Sequence, residues 1–260
     1  MSKTPETITQ YALAGQADIM PAAMPRLASD FHIYGAAEDL PEDLRSYLAV
    51  TKSITVFRHP LTTDFLPMAL PMAIEDFITF RKQQALELYE AGKLLMFVFF
   101  HSRPFRMDIL AELVGAGVFD DAQEEYWKIA RLVWEDSEQP EDDARWRILL
   151  YPHFDGQEHM TAPGDREALA AMPDEMTLYR GVQAANKVDA ISACRDGWSW
   201  SLSEKTASWF ARRLLPTGMS PYVVKASVKK ADVIAYLRGR EEEEMIVDEA
   251  NVGFIKVARA

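Results

Sequence analysis

Three short stretches carry side chains that could act together on a charged ligand. Gly239-Arg-Glu-Glu-Glu-Glu-Met-Ile-Val-Asp248 sets four glutamates directly before the apolar Met245-Ile246-Val247. Adjacent like charges repel, and an acidic run normally fades into loop rather than abutting a buried strand. Side chains of a strand alternate faces with period two. If the extended conformation begins at Glu242, then Glu242 and Glu244 share one face and Glu241 and Glu243 the other, which sets two carboxylates side by side at a strand edge. Trp198-Ser199-Trp200-Ser201 alternates in the same way. Its two indoles pin a strand into a core, and the hydroxyls of Ser199 and Ser201 are presented on the opposite face. Leu178-Tyr179-Arg180-Gly181 ends a strand on an arginine, whose planar fork grips a diphosphate bidentately. The glycine after it lets a ligand approach the backbone with no Cβ in the way. Each stretch also has a plainer reading: glutamates that keep a sheet edge soluble, a polar outer sheet face, and a strand-end charge beside a turn glycine.

The rest of the chain narrows the chemistry. With 260 residues, 48% of them apolar, it can bury a core and suits one or two domains. The longest apolar run, Leu94 to Phe100, is far too short to span a bilayer, and MSKTPETITQ at the start lacks the apolar segment of a signal peptide. Both point to a cytoplasmic protein without a membrane partner. A single cysteine, Cys194, excludes an intramolecular disulfide. His32, His59, His101, His153 and His159 never recur at helical ligand spacing, so no metal is expected. A net charge of -12 disfavours non-specific binding to a phosphate backbone.

The elements that must position the three stretches change character near residue 150. Before it, prolines punctuate the first 74 residues and Ser53–Phe57 reads as a strand. Helical patterns then cover Ile74–Lys93, Met107–Val114, Asp121–Asp136 and Asp143–Tyr151. Asp121 and Glu124 have capping-box spacing at the third of these. After residue 150, strands are expected at Met176–Tyr179, Gly197–Ser201, Tyr222–Val228, Val233–Tyr236, Met245–Val247 and Val252–Val257, with two helical stretches among them. In the helix that follows Ser201, Ala207, Phe210 and Ala211 fall on one packing stripe, and Trp209 and Phe210 read as core. Helices followed by strands make this an α+β protein, with a mainly helical domain over 1–150 and a strand-rich domain over 151–260.

Arg, then Ser-x-Ser, then Glu-x-Glu before an apolar strand is the ordered signature of the R-S-E class of ADP-ribosyltransferases, and residues 175 to 248 resemble that family. Ser201 and Ala207 keep the family's spacing from second serine to alanine. The chain also resembles phage and bacterial proteins with a Tyr-Arg-Gly, Ser-Trp-Thr and Glu-Glu-Glu layout. Trp200 stands where the family has threonine, and the interval from Arg180 to Ser199 is shorter than usual for the class. Nothing before residue 150 carries the resemblance.

The resemblance implies a compact mixed α/β core of two small sheets packed around a cleft for NAD, which is consumed as substrate without a metal. Cleaving the nicotinamide–ribose bond builds positive charge on the ribose, as in glycoside hydrolysis. A fixed carboxylate stabilises charge that exists mainly in the transition state. The four glutamates leave the register open. Glu244 is selected because the family's glutamate directly precedes its strand. Ser199 would orient it, Glu242 would activate the acceptor, and Arg180 would bind the phosphates. Gly181 would hold the nicotinamide amide through its backbone, with Tyr179 and Ser201 completing the NAD site. The implied partner is a macromolecular acceptor, together with an inhibitory protein if the chain is a toxin or effector; the acidic net charge favours a protein acceptor over a nucleic acid, with a small molecule as a further alternative. An NAD glycohydrolase would use the same residues, and an inactive binding module would retain their order without their chemistry.

Overall fold

The computed structural model describes residues 32–34, 37–51, 54–65, 68–70, 73–137, 143–151, 153–195, 197–239 and 242–260. The opening MSKTPETITQ segment, Ser53 and Glu241 lie outside the described residues. Among those described, no helix is long and apolar enough to cross a membrane. The chain divides into two compact units, Met1–Val118 and Phe119–Ala260.

Among its described residues, the first unit carries strands as well as helices. Its described residues include five short strands: β1 (His32–Tyr34), β2 (Leu48–Thr51), β3 (Ile54–His59), β4 (Thr62–Phe65) and β5 (Met68–Leu70). β2, β3 and β4 form an antiparallel sheet, and β1 pairs with β5. Helices α1 (Ile74–Glu90), α2 (Leu94–Phe99) and α3 (Arg106–Gly115) follow. Ile74, Ile78, Ala85 and Leu88 form the buried stripe of α1. This helix stops short of Lys93 because Gly92 takes a left-handed φ of 65°. That turn lets the Lys93 N–H reach back to the Leu88 carbonyl at 2.9 Å.

The second unit begins with two helices that composition alone assigns to the other half. In α4 (Gln123–Asp136), Tyr126, Trp127, Ile129, Ala130, Val133 and Trp134 are buried on one broad face. The expected capping box does not form. The helix starts one residue late, with Ala122 at the N-cap position and no side-chain cap. α5 (Asp143–Leu150) and α6 (Pro163–Ala170) follow. The boundary therefore falls at Phe119 rather than near residue 150, because large apolar side chains on α4 and α5 have their core in this unit.

The strand-rich part contains β6 (Glu175–Ala184), α7 (Lys187–Arg195), β7 (Ser199–Ser201), α8 (Glu204–Arg212), β8 (Ser220–Lys229), β9 (Val233–Leu237), β10 (Glu244–Val247) and β11 (Gly253–Arg259). The architecture is α+β, as expected. The sheet arrangement is not: all six strands join one antiparallel sheet in the order β11-β8-β6-β7-β10-β9. β6 pairs with β8 from Glu175↔Lys229 to Ala184↔Ser220. It meets β7 at a single pair, Tyr179↔Ser201. Two three-stranded halves thus share a narrow seam.

Alternation sorts this sheet into two faces. Met176, Leu178, Val182 and Ala184 of β6 join Val224, Ala226, Trp200, Met245 and Val247 in one core, closed by Ala190 and Cys194 of α7. α8 packs against the opposite face of β6, where Gly181 has no side chain. A Cβ there would lie 2.0 Å from the Ala207 carbonyl oxygen and 2.7 Å from the Ala211 amide nitrogen. So close a backbone approach leaves room only for small residues. Ala207 and Ala211 are buried, while Trp209 and Phe210 are turned out, 54% and 37% exposed. Those two aromatics are not core.

Candidate functional site

The pairing of β7 with β10 builds the site from the backbone upward. Glu244 lies opposite Ser201, Met245 opposite Trp200, and Ile246 opposite Ser199. Ser199, Ser201 and Glu244 therefore share a face, with the Trp200 and Met245 side chains buried behind them. Tyr179, paired with Ser201, extends the same face onto β6. The Ser199 hydroxyl donates to Oε1 of Glu244 at 2.5 Å. The Trp134 indole N–H donates to the same oxygen at 3.1 Å. One carboxylate is thus fixed by a hydroxyl from the adjacent strand and an N–H from α4.

The two serines do different work. Ser201 is buried, its hydroxyl donates to the Glu242 carbonyl at 2.7 Å, and it accepts from the Ser203 amide at 3.0 Å. Leu202 adds a main-chain bond to the Glu243 carbonyl. Together they clamp the turn that delivers Glu244 into β10. Ser203 then caps α8, accepting from the Thr206 amide.

That turn overrides the alternation expected for the acidic run. β10 begins at Glu244, and Glu243 sits at a φ of 47°, in the left-handed region. A residue so turned breaks the two-residue period, so strand geometry does not put Glu242 on the face of Glu244. What the structure fixes at Glu242 is its carbonyl.

Arg180 lies on the core face of β6, between Leu178 and Val182, and is only 6% exposed. Its guanidinium crosses the seam and donates to the Ser199 carbonyl at 2.6 Å. Gly197 makes room for it, since a Cβ at that position would lie 1.9 Å from Nη2 of Arg180. In this arrangement the arginine ties β6 to β7 rather than presenting a fork to solvent. Arg180→Ala is accordingly expected to lower unfolding stability by about 2 kcal/mol, the usual cost of leaving a buried acceptor without its donor. Denaturant titration checks this. Unchanged stability with a weaker affinity for NAD would return Arg180 to the phosphate-binding role.

Gly181 has a packing role under α8 that is separate from the nicotinamide contact implied by the resemblance. At the far end of β10, Asp248 accepts from the Tyr151 hydroxyl at 2.7 Å and faces Arg147 at 3.5 Å. Arg147 and Tyr151 also pack on the Trp198 ring.

Sequence reasoning missed Trp134 as a site residue. Its place in the apolar stripe of α4 accounts for burial, and nothing local reveals that its N–H meets a carboxylate. Compared with protein-family models, curated proteins and solved structures, the chain finds no match. Its functional reading therefore rests on its own residues. Among the described residues, no group of three or more His, Cys, Asp and Glu side chains is arranged to hold a metal ion.

Proposed function

We propose that this chain is an ADP-ribosyltransferase that consumes NAD, releases nicotinamide and transfers ADP-ribose to a macromolecular acceptor, a protein in preference to a nucleic acid. The observation that carries the reading is the 2.5 Å bond from Ser199 to Glu244, made between adjacent strands on one sheet face. It joins two of the three motifs in the relation the chemistry requires. The bond between the ribose C1′ and the nicotinamide nitrogen breaks, and its electron pair leaves with neutral nicotinamide. The Glu244 carboxylate, held by Ser199, stabilises the positive charge that develops on the ribose. A nucleophile on the acceptor then forms the new bond to C1′ and gives up its proton to a base.

Glu242 is the base that the motif supplies, and the left-handed Glu243 is a specific observation against it. It favours a second reading, NAD glycohydrolase, in which water takes the acceptor's place. Incubation with NAD labelled in the adenosine half distinguishes the outcomes. Nicotinamide release with label on macromolecules supports transfer. Release with free ADP-ribose alone supports the glycohydrolase, and no release in either form overturns the proposal.

A further inference from the structure

We infer that Trp134 is a positioning residue for Glu244, so that the functional unit includes α4 and α5 as well as the motif-bearing strands. The inference rests on the proposed role of Glu244 but concerns a residue outside the three motifs. Trp134 is 2% exposed on the buried face of α4, and its N–H donates to Oε1 of Glu244 at 3.1 Å. An indole is a donor only, with one N–H in the plane of a rigid ring, so it fixes its acceptor's direction more tightly than a rotating hydroxyl does. The ring is fixed in turn. Trp146, fully buried on α5, packs edge-to-face against it with centroids 4.6 Å apart.

The same part of the chain grips the other end of β10. Tyr151 donates to Asp248 at 2.7 Å, and Arg147 stands 3.5 Å from the same carboxylate oxygen. β10 is thus held at both ends by side chains from α4, α5 and the residue after α5. Ser199 alone leaves Oε1 one hydroxyl donor, and Trp134 supplies a second from an independent direction. Fixing a charged group where charge develops lowers the reorganisation needed in the transition state, so its loss is read mainly in kcat.

The test combines kinetics with a signal that does not depend on activity. Trp134→Phe keeps an aromatic ring against Trp146 and deletes the donor. The expected result is a fall in kcat for nicotinamide release of about tenfold, with KM within about twofold of the parent and thermal unfolding nearly unchanged. In the 15N-labelled parent, the Trp134 indole N–H resonance should shift and exchange faster on Glu244→Ala, which removes the acceptor. A folded Trp134→Phe with the parent kcat, or an indole resonance indifferent to Glu244→Ala, overturns the inference. If Trp134→Phe does not fold, the resonance decides alone. If the parent releases no nicotinamide, the reading of the function fails, while the resonance still reports whether the indole and the carboxylate are bonded.

Discussion

Glu244→Gln should abolish most of the turnover of NAD, by at least about a hundredfold, while leaving the protein folded. The substitution removes charge and keeps shape, and the amide oxygen can still accept from Ser199 and Trp134. A hundredfold loss corresponds to about 3 kcal/mol of transition-state stabilisation, within reach of one lost charge in a fixed site. The side chain is only partly buried, so the exchange costs little stability. Nicotinamide release and a thermal melt, measured on the same preparation, check both halves. A variant that turns over at the parent rate would show that another glutamate of the run does the work. Glu242 would be the first to examine, since Glu243 is exposed in its left-handed turn.

Gly181→Ala should act in the opposite way, through the fold. The new methyl group meets backbone atoms of Ala207 and Ala211, which cannot rotate aside as a flexible side chain would. α8 would have to lift off β6, at a cost of about 3 kcal/mol or more against a domain stability of about 5–15 kcal/mol. The expected observation is a lower, broader thermal transition, with the Trp209 and Phe210 environment changed in near-ultraviolet circular dichroism. A variant that melts like the parent but loses affinity for NAD would mean that Gly181 leaves space for a ligand rather than for the helix.

These contrasting expectations show what the sequence could disclose. All six strands of the second unit were legible, because Val, Ile, Trp and Tyr alternate between punctuating residues and set their own faces. The Ser199–Glu244 relation came from the resemblance: the four glutamates left the register open, and the family's placement of its glutamate directly before a strand selected Glu244. The turn at Glu243 was not legible. Four identical side chains carry no mark of where extended backbone begins, and the start of β10 is set by bonds from Ser201 and Leu202. The outward turn of Trp209 was hidden too. Helical spacing put Ala207 and Ala211 on the packing stripe, but the large aromatics were counted as core with them, although close backbone packing at Gly181 favours the small residues. The place of α4 was misjudged because composition changes near residue 150 while packing does not respect that change.

The bonds at Glu244 also bear on when the site comes into being. They join residues 45 and 110 positions apart in the chain. Closing loops of that length costs chain entropy that the contacts must repay. Until β7, β10 and α4 have come together, Glu244 is a glutamate in an acidic run with none of the groups that orient it. On the proposed function, a newly made or partly opened chain would be chemically silent towards NAD, and the onset of reactivity would report completion of the fold.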